Sequence, residues 1–526
     1  MSVMAISPLD HAWVAVAILF ALPWLTYWDA LSGQWVIDDN VGMAPYDGKL
    51  QRPVSWGNLF KKFRWLFGRK PNPNKTWQRD KQSPTVSNPR AHHRLSLWLL
   101  GGVAGLLYSF LARLWGPGLA FYATLLFVVY PLGAQVTAWI SGVNYLMGAF
   151  WMLLGFNGLY LAQDAGWLAE PLSCLLVLIG YGLVQWLAVE AQFAMAGACV
   201  ILAWLGWWPA AAIAFLAATQ SCFTAFRDAV LLRKATFKAQ NMEAATRFHP
   251  RKLIVVVKTL GYYAYLMVFP KRMGLYHPFY YHYELPEVEW ENKDFWWGLT
   301  VLAAWGVGLA LGPPLIQFAL LWAMAYLVLF MNWVTAHQFV TERYAWLPGF
   351  GVCLLVAAYA PVPVYWALFG IALMRTWAHL PTYYNESLFY YSNIWNFPQS
   401  EIALGNLGVA HMGRGMIGTA MDLWATGTVL NPEYDVNWYN LASLFKSRGP
   451  TNPNYMPQLQ QLVPKEVLEH AYTKDPSRSH LHIARYFLQR AVNAKTCHFA
   501  EPWKQEVLDI EKMLSQPLTP VVTGTP

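Results

Sequence analysis

Long apolar runs separated by polar loops dominate residues 1–394 of this chain. Several runs reach about 20 residues, the length at which a helix crosses the hydrocarbon core of a bilayer. We predict eleven or twelve spanning segments, because 191–224 fits either two short helices or one broken helix. The pattern therefore predicts an all-α, polytopic membrane domain over residues 1–394. Its predicted segments are 12–31, 95–113, 117–134, 143–162, 170–188, 191–207, 209–224, 252–270, 295–312, 315–333, 344–360 and 363–380.

Three polar loops interrupt this apolar pattern. The first, at 33–94, is basic, and its segment 56–67 has the pattern of an amphipathic helix lying on a membrane surface. The second, at 225–251, is also basic, and by the positive-inside rule both belong in the cytoplasm. The rule weakens for loops near 60 residues, such as the first. Only the second loop is therefore a firm objection to placing the Asp38-Asp39 loop on the extracytoplasmic side. The third, at 271–294, contains His277 among aromatic and acidic residues without metal-ligand spacing, and we interpret it as a surface loop.

The composition changes to that of a soluble helical domain after about residue 395. Asn406-Leu407-Gly408 recurs 34 positions later as Asn440-Leu441-Ala442, which is the period of the tetratricopeptide (TPR) repeat. We therefore predict a TPR-like domain over 395–515 whose Asn406, Asn440 and Trp438 belong to a surface that binds a protein partner. A stabilising cap without a partner is the alternative. The Pro- and Thr-rich residues 516–526 are predicted to be a disordered tail.

Composition and charge narrow the classes of partner. The chain is 56% hydrophobic and 13% charged, whereas soluble proteins carry about 25% charged residues. The net charge of +8 comes from basic residues that flank apolar segments, which fits anionic lipid headgroups and not nucleic acid. The five cysteines include no CxxC pair, so we interpret them as packing residues.

An adjacent acid pair, Asp38-Asp39, follows the first apolar segment. Acidic residues at the mouth of a membrane helix are costly and usually functional. One of the two carboxylates can take a proton from an acceptor hydroxyl, and the pair can share a divalent cation such as Mg²⁺ or Mn²⁺. A helix-to-loop cap on a wet surface is the alternative. Glu190 lies between two apolar segments. It either faces a cavity within the membrane domain or is a loop residue at the membrane interface.

The order of these features resembles the polytopic O-mannosyltransferase-like proteins with C-terminal TPR repeats, in the GT-C class of glycosyltransferases. Asp38-Asp39 stands where that family has its catalytic acid pair. The last-helix arginine of the family is matched by Arg375. The remaining matches are Asn88-Pro89-Arg90-Ala91-His92-His93-Arg94, Tyr130-Pro131-Leu132, Val136-Thr137-Ala138-Trp139-Ile140-Ser141-Gly142, Ala188-Val189-Glu190 and Glu342-Arg343-Tyr344-Ala345-Trp346-Leu347-Pro348.

This resemblance implies a membrane enzyme that transfers a sugar from a polyprenyl-phosphate donor to a protein acceptor. We expect it in a bacterial inner membrane, because the chain is compact and its repeat array is short. The TPR-like domain would hold the acceptor, and the Asp38-Asp39 loop would face the extracytoplasmic side. Arg343 is implied as the clamp on the donor phosphate, since a guanidinium group matches phosphate bidentately. The implied helpers at the phosphate are Arg79, Arg90 and His92, and the implied supporting residues are Glu190, Glu342 and Tyr344.

Several positions depart from the family pattern. Tyr130 replaces a histidine, Val143 an arginine and Val189 a lysine, and Asn144-Tyr145 stands at a polar pair. Some of the replaced groups are those expected to hold the donor phosphate. These departures favour the alternative function, in which the same fold has lost its chemistry and serves as a scaffold or subunit of a membrane complex.

Overall fold

The computed structural model describes residues 12–34, 36, 89–187, 192–216, 252–275, 277, 293–331, 340–448, 456–494 and 500–516. Over these residues the protein is all-helical, and they contain no strand. The chain divides into two compact units, and their boundary along the chain falls between Phe389 and Tyr390. Asp38, Asp39, Arg79 and Glu190 lie outside the described residues.

The first unit contains a helix at each of the twelve predicted apolar segments. In chain order the helices are α1 (Ala12–Thr26), α2 (Pro89–Trp115), α3 (Pro117–Val128), α4 (Gly133–Ala138), α5 (Val143–Asp164), α6 (Pro171–Leu187), α7 (Gln192–Trp204), α8 (208–216), α9 (Lys252–Val268), α10 (Lys293–Leu311), α11 (Pro314–Leu327), α12 (Glu342–Tyr359) and α13 (Val362–His379). The next helix, α14 (Glu386–Asn396), contains the boundary between the two units. The predicted domain boundary at 394/395 lies within α14.

Among the described residues, three helices are long and apolar enough to cross a membrane, namely α2, α5 from Tyr145 onward, and α10. Shorter apolar helices, among them α1, α3 and α11, surround them. The exposed surface of α10 is strongly apolar, with Trp296 50%, Val307 60% and Leu311 81% exposed. Apolar surface of this extent needs a lipid or protein cover, since soluble monomers rarely expose it.

Small residues let these helices approach closely, as they do in membrane proteins generally. A Cβ atom on Gly298 of α10 would lie 2.0 Å from the carbonyl oxygen of Val257 in α9. The indole N–H of Trp297 also donates to the carbonyl of Gly261, at 3.0 Å. A side chain at Gly298 would therefore push α9 and α10 apart.

Short connections join neighbouring helices at one end of the first unit, at 116, 165–170, 205–207, 312–313 and 360–361. The opposite helix ends are linked by hydrogen bonds between distant parts of the chain. Trp377 donates to the carbonyl of Thr26 at 3.0 Å, and Thr376 donates to the carbonyl of Val129 at 2.7 Å. Tyr130 donates to the carbonyl of Met267 at this same end. The N-terminal segment and the ends of α3, α9 and α13 therefore meet there, and the candidate site lies among them.

The second unit begins with a helical hairpin. Its helices are α15 (Glu401–Gly413), α16 (Ile417–Leu430), α17 (Asp435–Arg448), α18 (Met456–Leu462), α19 (Lys465–Glu469), α20 (Ser479–Asn493) and α21 (Ala500–Ser515). Ser400 caps α15 by accepting the N–H of Ala403, a typical way to begin a helix. The indole N–H of Trp424 in α16 donates to the carbonyl of Gly405 in α15, at 2.9 Å. The absence of a side chain at Gly408 lets α15 and α16 pack this closely, whereas Gly405 leaves room for Asn437 of α17.

Asparagine side chains close the α15–α16 hairpin and join it to α17. Asn431 donates to a carboxylate oxygen of Glu401 at 2.9 Å, and Asn437 donates to the backbone carbonyl of Glu401 at 3.2 Å. Helix α17 then packs against α20, and α20 against α21, around an apolar core. The second unit is thus an array of antiparallel helices beginning at Glu401.

Candidate functional site

Arg343 lies in the first turn of α12, half-buried among three aromatic rings. Its guanidinium carbon is 4.9 Å from the ring centroid of Trp139, 5.3 Å from that of Tyr344 and 5.9 Å from that of Tyr145. Contacts of this kind attract a cation to the ring faces. The three rings therefore fix the guanidinium group at the start of α12.

Gln135 of α4 positions the backbone that carries Arg343. Its side-chain oxygen accepts the backbone N–H of Arg343 at 2.6 Å and the hydroxyl of Thr341 at 2.7 Å. The N–H groups of a first helical turn have no partner within the helix, so a buried amide oxygen is an effective substitute. The hydroxyl of Tyr263 accepts the backbone N–H of Thr341 at 3.3 Å. The first turn of α12 is thereby fixed to both α4 and α9.

Trp139 connects Arg343 to the segment that precedes the acid pair. Its indole N–H donates to the carbonyl of Val36 at 3.1 Å, while its ring lies under the Arg343 guanidinium group. Val36 is two residues before Asp38 in the chain. One side chain thus contacts both the best candidate cation and the backbone leading to the candidate carboxylates.

Glu342, the neighbour of Arg343, is buried and faces the loop after α9. One carboxylate oxygen, Oε1, accepts the backbone N–H of Gly274 and lies 2.9 Å from Nε2 of His277. Nδ1 of His277 is 2.8 Å from the hydroxyl of Tyr262. The result is a continuous hydrogen-bonded chain from Tyr262 through His277 to Glu342.

The interpretation of 271–294 as a surface loop is wrong at His277, which is 3% exposed. A buried carboxylate needs donors, and His277 and Gly274 provide them to Glu342. Arg375 holds the same loop from α13, donating to the carbonyls of Pro270 and Lys271. Of the loop as predicted, 276 and 278–292 lie outside the described residues.

The other phosphate candidates among the described residues lie at the start of α2. Arg90 is exposed, and His92 is 4% exposed. The next residue, His93, lies against Gly33, where a Cβ atom would be 2.9 Å from Nε2 of the histidine. Helix α2 contacts α4 and the turn at 140–142 that follows Trp139. The start of α2 thus belongs to the same end of the first unit as Arg343.

Tyr344, predicted from the sequence as a supporting residue, lies beside the Arg343 guanidinium group. Its ring stacks on Phe330, with centroids 3.9 Å apart and an interplanar angle of 12°. Its centroid is also 6.1 Å from that of Tyr145. The two tyrosines and Phe330 therefore form one aromatic face beside the guanidinium group.

The predicted partner-binding residues of the second unit occupy two different environments. Asn406 and Asn440 are half-buried at corresponding positions of α15 and α17. Trp438 is 5% exposed, donates its indole N–H to the carbonyl of Pro432 at 2.8 Å, and lies 5.0 Å from the guanidinium carbon of Arg490. Trp438 thus helps to hold the array together, and the two asparagines remain the more accessible members of the set.

No group of three or more His, Cys, Asp and Glu side chains is arranged to hold a metal ion in the part of the chain that the structure describes. The predicted cation ligands, Asp38 and Asp39, are outside that part. Around Arg343 the described residues provide a half-buried guanidinium group, three aromatic rings and the neighbouring buried carboxylate of Glu342. Such a set can bind an anionic group beside an apolar surface.

Sequence reasoning missed Gln135, Trp139 and His277 as site residues. A glutamine within an otherwise apolar helix is a signal that was available, because such side chains usually have a buried hydrogen-bonding role. The burial of His277 depends on a partner 65 positions away, which no local pattern indicates.

Comparisons with protein-family models, with curated proteins and with solved structures find no match to this chain.

Proposed function

We propose that this chain is a membrane glycosyltransferase of the GT-C type, in which Arg343 binds the phosphate of a polyprenyl-phosphate sugar. The acceptor would be a protein held by the TPR-like domain at 395–515. The observation that carries the proposal is the contact of Trp139 with both Arg343 and Val36. Through this contact, the proposed phosphate-binding cation lies near the backbone segment that leads to Asp38-Asp39.

The chemistry of transfer needs these two groups close to each other. A cation must neutralise the leaving phosphate while a carboxylate takes the proton of the acceptor hydroxyl. Consecutive Cα atoms are at most about 3.8 Å apart, so the chain allows Asp38 no more than about 8 Å of backbone distance from Val36. A pyranosyl phosphate fits between a guanidinium group beside Trp139 and a carboxylate within about 8 Å of backbone distance from Val36.

The exposed apolar surface of the first unit supports the multi-pass membrane part of the proposal. Helices α6, α10 and α13 each expose several large apolar side chains; they include Leu172, Leu176, Ile179, Val307, Leu311, Ile371 and Met374. A bilayer is the simplest cover for so much apolar surface on these three helices. With the shorter helices included, the eleven or twelve predicted spans would place the site at one membrane face, which we assign to the extracytoplasmic side of a bacterial inner membrane.

The helical array of the second unit supports a role in acceptor binding. The α15–α16 hairpin, with its small residues at the interface and Pro432 after the second helix, has the organisation expected of one TPR unit. Arrays of this kind generally present binding surfaces for proteins. Asn406 and Asn440 are the residues we assign to that surface.

A second candidate function, a scaffold that has lost its chemistry, is favoured by a different observation. Tyr130 and Val143 are buried, and Tyr145 lies against Arg343. Where the resemblance implies groups that hold a phosphate, these side chains fill space among the helices. In this alternative the chain would be a stoichiometric subunit of a membrane complex.

Transfer of labelled sugar from a polyprenyl-phosphate donor tests the choice between the two functions. Asp38→Asn, Asp39→Asn and Arg343→Gln should each abolish transfer, because each removes one charge of the reaction. Arg113→Gln and Glu170→Gln are matched controls at the opposite end of the first unit and should retain it. Unchanged transfer in all three site variants would refute the assigned roles. Absence of transfer and of lipid binding in the wild type, with stable co-purification in a complex, would favour the scaffold.

A further inference from the structure

The buried polar atoms without a hydrogen-bond partner where α4 meets the first turns of α12 include, besides the hydroxyl of Thr137, three atoms of other side chains. They are Nε2 of Gln135, Oε2 of Glu342 and Nε1 of Trp346, and none has a partner among the described residues. Each of the three residues is 1% exposed. Buried polar side chains are satisfied in the large majority of cases, so a group of three such atoms indicates a binding role.

The three side chains occupy one small region. The Gln135 oxygen binds the residues on either side of Glu342, through the hydroxyl of Thr341 and the backbone N–H of Arg343. Trp346 follows Glu342 by one helical turn, and a Cβ atom on Gly133, two residues before Gln135, would lie 3.4 Å from its indole nitrogen. The three side chains therefore belong to α4 and to the first two turns of α12, two helices that contact each other.

Other contacts hold each of the three side chains in place. Glu342 Oε1 is occupied by Gly274 and His277, which leaves Oε2 as its only open acceptor. The Trp346 ring stacks on Phe127, with centroids 5.2 Å apart and an interplanar angle of 22°. The amide of Gln135 is fixed through its oxygen. A ligand would therefore meet one acceptor and two donors whose positions are already set.

The chemistry of these atoms selects the class of ligand. A phosphate would be repelled by the Glu342 carboxylate, and a cation would meet the N–H groups of Gln135 and Trp346. A hydroxyl group donates to a carboxylate oxygen and accepts from an amide or indole N–H at the same time. Neighbouring hydroxyl groups of a sugar ring match one acceptor and two donors.

We infer that Gln135, Glu342 and Trp346 bind the hydroxyl groups of a hexose, next to the donor phosphate at Arg343. The inference rests on the proposed function for the phosphate, and adds the recognition of the sugar itself. Since neighbouring side chains cover the three atoms, sugar binding involves a local rearrangement. Arg343 and Tyr344, both half-buried, are the neighbours of Glu342 toward solvent.

The test compares two lipids on the full-length protein in nanodiscs, a polyprenyl phosphate and the corresponding polyprenyl-phosphate hexose. The ratio of their dissociation constants isolates the contribution of the sugar. We expect the wild type to favour the hexose-bearing lipid, and Glu342→Gln and Gln135→Met each to reduce that preference about tenfold, as loss of a hydrogen bond to a buried charged or polar group does. The ratio is the readout because Gln135→Met also removes the oxygen that accepts the backbone N–H of Arg343, which weakens the binding of both lipids alike. Glu170→Gln and Gln163→Met are the matched exposed controls.

Each failure has its own signature. Equal affinity of the wild type for both lipids, or an undiminished preference in both variants, would overturn the hexose site and leave the phosphate site standing. If neither lipid binds, the proposed function fails, and methyl hexopyranosides then test the inference alone. Thermal stabilisation of the wild type but not of Glu342→Gln by such a glycoside would retain the hexose site. Lack of stabilisation in both would overturn it, as would a density map with the hexose-bearing lipid bound in which only water reaches Glu342 and Gln135.

Discussion

Gly408 of α15 gives the sharpest test of the helical hairpin. A Cβ atom there would lie 2.3 Å from Nε1 and 2.7 Å from Cδ1 of Trp424, a distance at which one of the two must move. Trp424 is 3% exposed and donates to Gly405 at 2.9 Å, so it has no open space to move into without losing that bond. We expect Gly408→Ala to destabilise the second unit.

Two costs and one gain set the change in the free energy of unfolding of the second unit. Overpacking of a core costs about 1–3 kcal/mol, and loss of the Trp424 hydrogen bond costs about 1 kcal/mol. The better helix propensity of alanine returns about 1 kcal/mol. The net destabilisation is therefore about 2 kcal/mol, and the steric cost decides the sign.

Gly413, at the end of the same helix, is the matched control. A Cβ atom on Gly413 meets nothing within 4 Å, so Gly413→Ala keeps the propensity gain without a clash and should be neutral or stabilising. Amide hydrogen exchange over 401–430 in the full-length protein measures both variants, since the two units need not unfold together. Gly408→Ala should lower protection about thirtyfold. Equal effects of the two substitutions, or higher protection in Gly408→Ala, would refute the described packing of α15 on α16.

Two further predictions concern single contacts. Trp139→Phe keeps a ring under Arg343 but removes the hydrogen bond to Val36, so the binding of the donor lipid should weaken by about 1 kcal/mol. Trp139→Ala removes the ring as well and should weaken binding more. Lipid titration measures both variants. At Asp475, partial burial raises the pKa, but hydrogen bonds led by that from His482 outweigh it and lower the pKa overall. The contribution of this carboxylate to stability is therefore present above about pH 4 and is lost as the pH falls further. In thermal unfolding, Asp475→Asn should have a lower melting temperature than the wild type at pH 6. Its melting temperature should also fall less between pH 6 and lower pH.

The positions of the helices were predictable because apolar runs leave the chain few alternatives. Each predicted segment contains a helix, from Ala12–Thr26 to Val362–His379. The spanning lengths were less predictable. Proline or a turn ends several helices early, as where α3 stops at Val128 before Tyr130-Pro131. In the part of the chain that the structure describes, three helices have the full length and apolarity of a membrane span.

The candidate site was predictable only where its residues are adjacent in sequence. Glu342, Arg343 and Tyr344 were identified together as one motif, and the structure shows that Arg343 and Tyr344 also interact in space. Trp139, Gln135 and His277 reach the same place from segments separated by many residues, through hydrogen bonds that no local periodicity encodes. Their roles follow from tertiary contacts alone.

The most direct test of the account is a high-resolution density map of the protein in a bilayer containing a polyprenyl-phosphate sugar. The account predicts a phosphate within about 4 Å of the Arg343 guanidinium group, with the sugar between it and Asp38-Asp39. A guanidinium group still enclosed by Trp139, Tyr145 and Tyr344, with lipid phosphate bound elsewhere or nowhere, would contradict it.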